Sequence, residues 1–307
     1  SERPTARRHR SVRRKLEIAA FVSPALLLYL AFVLLPMGMA AFYGFFNWNG
    51  LGPLDQFVGF DNYKRALGDP VFRGALQHNV IFIVLSLVLQ LPLGIGLALL
   101  LNRRMRGRSV LRVILFAPYV LSEVIAAVTW LLILQPDGLA DAILTAVGLG
   151  DAVQLWLADR DVVLYTLFVV ATWKYLGFAI ILFLAGLQGI PRELYEAAAI
   201  DGAPAWKQTR FITLPLLGPT IRIWIFLSII GSLQLFDLVW IMTLGGPANA
   251  SSTMATYLVD RGFRRSEFGY GNAVAMILFI ISFVVALLYQ RFVLRRDTEG
   301  AMTRMAG

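Results

Sequence analysis

The sequence predicts an all-α polytopic membrane protein with six transmembrane helices and one short cytoplasmic helix between the fourth and fifth of them. Three observations lead there. Of 307 residues, 58% are hydrophobic and 15% charged, with a mean hydropathy of +0.69, too apolar for a soluble domain of this size. Six stretches approach or exceed the roughly 20 apolar residues needed to cross the hydrocarbon as a helix: about 18–46, 77–101, 113–134, 162–186, 214–241 and 269–290. These runs are continuous, whereas a transmembrane barrel would show alternating segments of about ten residues.

The first run follows RRHRSVRRK. Its uncharged stretch from Ile18 to Leu54 far exceeds the roughly 7 to 15 residues of a signal-peptide core, so it reads as a retained span. Residues 47–76 form an outside loop of Gly and Pro turns with a short amphipathic piece at Asn62–Leu67. Residues 135–161 are a second loop carrying five aspartates against Arg160 alone, and TLGGPANASS breaks the chain at the outer end of the fifth run. The expected organisation is a basic cytoplasmic tail at 1–16, one membrane domain at 17–292 and a second cytoplasmic tail at 293–307.

Charge supplies the orientation. With six spans both termini share a side, and 19 basic residues fall there: seven in Arg3–Lys15, five in Arg103–Arg112, Arg192, Lys207 and Arg210, and four in Arg291–Arg304. The opposite side holds seven: Lys64, Arg65, Arg73, Arg160, Arg261, Arg264 and Arg265. This asymmetry puts the termini in the cytoplasm. The same positions read the formal charge of +9 as membrane flanks attracted to anionic lipid rather than as a nucleic-acid surface.

Several chemistries lack their residues. There is no cysteine, and His9 and His78 are the two histidines, so neither a disulfide framework nor a thiolate or histidine-rich metal site is expected. No G-x-x-x-x-G-K-[ST] loop, HExxH pair or Ser/His/Asp arrangement occurs, and the chain reads as non-enzymatic.

The segment 191–215, PRELYEAAAIDGAPAWKQTRFITLP, is the most informative. Pro191 suits a helix start, RELYEAAAI is rich in helix formers, Gly202 stands where a turn calls for positive φ, and Pro204 blocks direct continuation. The expectation is a helix-turn-helix knuckle on the cytoplasmic surface, slim at Ala197, Ala198 and Ala199. Glu196, Ala197, Ala198, Gly202, Ile212, Leu214 and Pro215 match the EAA loop of ABC-importer permeases at every defined position. FVGFDNYKRALGDPVFRGALQHN, LFAPYV, ATWKYLGFAIILFLAGLQGIPRELYEAAAIDGA and FDLVWIMTLGGPANASSTMATY extend the likeness over about 17–292. The chain thus resembles the carbohydrate, maltose-type branch of binding-protein-dependent permeases.

That resemblance implies an ATP-driven importer in the bacterial cytoplasmic membrane, made of two homologous permeases, an ATP-binding cassette ATPase dimer and an extracytoplasmic sugar-binding protein. The implied cargo is a di- or oligosaccharide. ATP and Mg would sit on the ATPase and no cofactor on this chain. The implied coupling residues are Glu196, Ala197, Ala198, Asp201 and Gly202. By comparison with the maltose-type pocket, Tyr119, Lys174, Tyr175, Phe178, Ser228, Ser232 and Leu235 would line the substrate path, although that pocket has no lysine at the Lys174 position. Trp173, Asp237 and Trp240 join them on chemistry, because sugars offer hydroxyls to polar groups and ring faces to aromatics.

Intramembrane charges are costly and face a cavity or a partner. Lys174 and Asp237 are read as substrate-path groups, Glu123 and Arg222 as packing or interface groups. A glycerol phosphate carrier would use Lys174 as its anion partner, and a polyamine carrier would use Asp237. A stand-alone secondary transporter would show paired broken helices, and none is legible in the sequence.

Overall fold

The computed structural model describes residues 4–103 and 105–294, with the backbone alone for 4–16. The cationic side chains assigned to the N-terminal tail, Arg104, and the tail beyond Leu294 lie outside the described residues. Among the described residues the elements are helical apart from one isolated bridge, Phe46 with Phe57.

In order they are α1 (Glu17–Tyr43), α2 (Asp61–Gly68), α3 (Pro70–Asn102), α4 (Arg108–Val120), α5 (Glu123–Ile133), α6 (Leu139–Ala146), α7 (Val163–Gln188), α8 (Arg192–Ile200), α9 (Ala205–Leu233), α10 (Asp237–Thr243), α11 (Met254–Val259) and α12 (Phe268–Leu294). Five of these, α1, α3, α7, α9 and α12, are long and apolar enough to cross a membrane. The sixth candidate span is the pair α4 and α5, bent by 101°.

Two expected runs are therefore corrected. The run at 113–134 is not one straight helix: Leu121 is extended, and Ser122 restarts the chain as the N-cap of α5, its hydroxyl accepting from the Ile125 amide at 3.2 Å. The run at 214–241 stops at Leu233, passes through Gln234–Phe236 and resumes as α10. Broken helices are present after all, at two places. The second run also begins earlier than expected. Asp69 caps α3 by accepting from Val71 N at 2.7 Å, and Pro70 occupies the first turn, where its missing N–H costs nothing.

Three spans share a local irregularity ahead of a proline, while α12 ends in a further π-turn, Gln290–Leu294, with no proline after it. Helices α1, α3 and α9 each contain a five-residue π-turn, at Leu30–Leu34, Ser86–Gln90 and Thr209–Thr213. Each ends immediately before a Leu-Pro pair, Leu35-Pro36, Leu91-Pro92 and Leu214-Pro215. A proline inside a helix lacks the N–H donor and its ring collides with the carbonyl four residues back. The wide turn moves that carbonyl aside and lets the span continue.

The described residues divide into two compact units, one comprising those up to Ala66 with Arg261–Met276, the other Leu67–Asp260 with those from Ile277. In the first, Asn62 is a latch: its buried amide donates to the carbonyls of Gly44 at 3.0 Å and Phe46 at 2.9 Å. Gly269 is needed there because a Cβ would collide with the Phe46 carbonyl. In the second, α7 is apolar on all sides and accordingly central. One apolar cluster joins its first half to Phe82, Ala127, Leu238 and Met242, and another joins its second half to Ala98, Leu217 and Trp224.

Candidate functional site

The second unit contains a cavity of about 370 Å³ at the two helix breaks. How the breaks are held decides what faces it. Helix α4 packs closely on α7 because residue 177 is glycine; a Cβ there would come within 2.6 Å of the Leu115 carbonyl. Where α4 ends, its last carbonyls lose their intrahelical donors. Lys174 of α7 replaces them, its ammonium donating to Pro118 O at 3.1 Å, Tyr119 O at 3.0 Å and Leu121 O. Three donors meet three acceptors, and the side chain is 3% exposed.

The other break is held by Asn79, fully buried on α3. Its amide nitrogen donates to Ser232 O at 2.6 Å and its oxygen accepts from Met254 N at 3.0 Å. Thr253 donates to Leu235 O at 2.7 Å and caps α11 with Thr256 in a capping box. Asn79→Leu would leave both backbone groups buried without partners, at about 1 to 3 kcal/mol each. The expected outcome is a lower melting temperature of the detergent-solubilised protein, with Asn79→Gln or Asn79→Leu both impaired because the geometry fits one side-chain length.

Of the residues expected on the substrate path, Tyr119, Tyr175, Phe178, Ser228, Ser232, Leu235 and Asp237 all line this one cavity. Lys174, Trp173 and Trp240 are not on its wall: Lys174 is spent on carbonyls, Trp173 meets Trp130 edge-on at 5.5 Å, and Trp240 stacks on Phe236 at 5.5 Å. Glu123, expected in packing or at an interface, is on the wall and accepts a hydrogen bond from the Tyr175 hydroxyl. Ser86, Gln90 and Gln234 add polar groups that the sequence reading did not single out. The tyrosine and phenylalanine rings of Tyr119 and Phe178 are stacked, 5.3 Å apart and 26° from parallel. Apolar ring faces, hydroxyls and amides thus surround a space whose charged side chains are two carboxylates, Glu123 and Asp237, with no basic residue.

At the other candidate site α8 carries Glu196, Ala197 and Ala198. The chain turns at Asp201–Gly202, with Gly202 at φ +72°. The turn is closed by Gly202 N to Ala199 O at 3.0 Å and Ala203 N to Ala198 O at 2.8 Å. The second expected short helix is instead the first turn of α9, continuous with the span. Gln208 ties it back by donating to Ala203 O at 2.9 Å, and Tyr195 shares a 3.0 Å hydrogen bond with Thr213. The outer surface of the knuckle is uncovered and mixed: Ile200 is 87% exposed and Trp206 60%, alongside exposed Glu196, Asp201 and Lys207.

A family model described as binding-protein-dependent transport system inner membrane component matches residues 90–298. The chain belongs to that family. This permease is 35% identical to the diacetylchitobiose uptake system permease protein of Streptomyces coelicolor, over 97% of its own length and 89% of that protein's. It is 34% identical to the lactose transport system permease of Rhizobium radiobacter, covering 91% and 94% respectively. A chain of a bacterial ABC transporter involved in import of the acidic polysaccharide alginate has the same fold, with TM-score 0.82, 24% identity and coverage of 94% of this permease and 99% of that chain. This is a multi-pass inner-membrane component of a binding-protein-dependent ABC transport system, and the relatives are transport subunits rather than enzymes.

Proposed function

We propose that the permease carries an uncharged di- or oligosaccharide inward by alternating access. The 370 Å³ cavity is its half of the path, and a second homologous permease completes it. The single observation that carries the substrate class is the spending of Lys174 on the carbonyls at the end of α4. A phosphate ester or uronate would enter a cavity with two carboxylates and no cation, paying repulsion without a partner. A neutral sugar meets stacked aromatic faces and hydrogen-bonding groups. The sugars in the relatives' names, diacetylchitobiose and lactose, are of that neutral kind.

In this reading an ATPase dimer, holding ATP and Mg, docks on the knuckle at Glu196, Ala197, Ala198, Asp201 and Gly202. This chain binds no cofactor of its own. An extracytoplasmic sugar-binding protein delivers the cargo, both termini are cytoplasmic, and the basic flanks lie against anionic lipid. Reversing a two-state equilibrium from 1:99 to 99:1 takes about 5.5 kcal/mol of differential interaction. The knuckle can transmit that because α8 and its turn are tied to the first turns of α9, by Gln208 to Ala203 O and by Tyr195 with Thr213, and α9 continues into the span.

The test is affinity purification through a tag on this chain, followed by melting of the co-purified binding protein with neutral, phosphorylated and acidic sugars. Recovery of a second permease, an ATPase and a binding protein stabilised by a neutral saccharide supports the reading; stabilisation by a sugar phosphate alone overturns the substrate class. Within the cavity, Tyr119→Ala is expected to lower uptake about tenfold, the scale of one lost aromatic contact, while Tyr119→Phe transports normally. Equal uptake by both variants would remove the ring from the path.

A further inference from the structure

A groove of about 690 Å³ runs between α4 and α7, separate from the cavity described above. Its walls are apolar, with Val113, Phe116 and Val120 from α4 and Ile181 and Ala185 from α7. At one end stands Arg112, whose Nε and Nη2 atoms are buried with no hydrogen-bond partner. One turn earlier the Nε of Arg108 is in the same condition. A guanidinium edge shielded from water without an acceptor is costly, so the groove calls for an anion at that end. Neither helix of the groove supplies one: residues 91–122 and 162–188, which include both, contain no Asp or Glu.

The shape narrows the choice further. From Arg112 to Val120 is eight residues, or about 12 Å of helix, and the wall along that length is hydrocarbon. Inorganic phosphate would satisfy the arginine and leave the trough empty. A molecule with an anionic head and a long apolar chain fits both. Arg103 and Arg106, just before α4, add positive charge at the same end. The rim is apolar as well, with Val113 68% and Val120 74% exposed.

We propose that this groove binds one anionic phospholipid, its phosphate on Arg112 and an acyl chain along the trough towards Val120. Arg112 is the residue that selects the head group, since its planar fork accepts a phosphate through two donors. The apolar wall holds the chain without selecting it. The inference is independent of which solute the transporter carries.

The experiment is native mass spectrometry of the transporter purified through a tag on this chain, titrated with phosphatidylglycerol or phosphatidylcholine. One phosphatidylglycerol is expected to be retained in preference to phosphatidylcholine. Arg112→Gln should weaken that retention about tenfold, the loss of a charge-assisted pair, whereas Arg112→Lys should retain much of it. Ala185→Phe, on the exposed rim of the trough, should expel the chain without touching the arginine. Inorganic phosphate should not compete.

Equal retention by wild type, Arg112→Gln and Ala185→Phe would overturn the site. So would equal uptake of the zwitterionic lipid, or displacement by inorganic phosphate, which would mark a free-anion site. Absence of any retained lipid from the assembled transporter would overturn it too, and would make the groove a protein interface.

Discussion

Gly202→Asp is expected to abolish uptake, by more than tenfold, while the permease remains folded in the membrane. The structure separates the two effects. A Cβ at Gly202 meets nothing within 4 Å, so the substitution creates no clash inside the chain. The backbone at φ +72° costs an L-residue roughly 1 to 2 kcal/mol, and Asp tolerates that conformation better than most. The turn can persist, and what changes is its outer surface, where a second carboxylate is added beside exposed Asp201 and next to the exposed apolar side chains of Ile200 and Trp206. An ATPase groove built to receive a slim helix would meet bulk and an unpaired charge. The measurement is transport in reconstituted vesicles alongside the melting temperature of the solubilised variant. Normal uptake at normal stability would remove the knuckle from the coupling path; lost stability would assign the effect to the fold instead.

Lys174→Met is expected to destabilise the protein severely and to leave the ranking of transported sugars unchanged among molecules that still fold. The methionine would fill much of the space of the lysine stem but donate nothing, leaving the carbonyls of Pro118, Tyr119 and Leu121 without their shared donor. At about 1 to 3 kcal/mol for each buried unsatisfied group, the loss approaches the whole stability of many domains. The readouts are yield in the membrane, melting temperature and competition between sugars. A stable Lys174→Met variant with altered sugar preference would return the lysine to the substrate path and remove the argument for an uncharged cargo.

These two residues also mark what the sequence made legible. Gly202 was readable because a turn between a helix-forming segment and a proline needs positive φ, a local demand of local residues. The six apolar runs were readable for the same reason, as length and hydropathy are properties of contiguous chain. Lys174 reads from the sequence as a ligand because an intramembrane cation suggests function, but its use depends on where α4 ends, 53 to 56 residues earlier in the chain. The break at Leu121–Ser122 had a faint signal, Pro118 followed by a Ser at the cap position and a glutamate after it. The break at Gln234–Phe236 had almost none, because it is stabilised by Asn79 and Thr253 from other segments. Glu123 reads from its own stretch as a packing or interface group, because the faint restart signal does not say that the new helix turns it towards Tyr175.

The π-turns before the three Leu-Pro pairs change how faces must be counted along α1, α3 and α9. Each regular residue advances a helix by about 100°, and a wide turn absorbs one residue without that advance. A helical wheel drawn over the whole of Ala205–Leu233 is therefore out of phase on one side of Leu214-Pro215. Residues that share a stripe on paper diverge by about a quarter-turn in the molecule. In this chain Leu-Pro acts as a frame shift for helical faces, and surface substitutions in these spans should be chosen separately on either side of it.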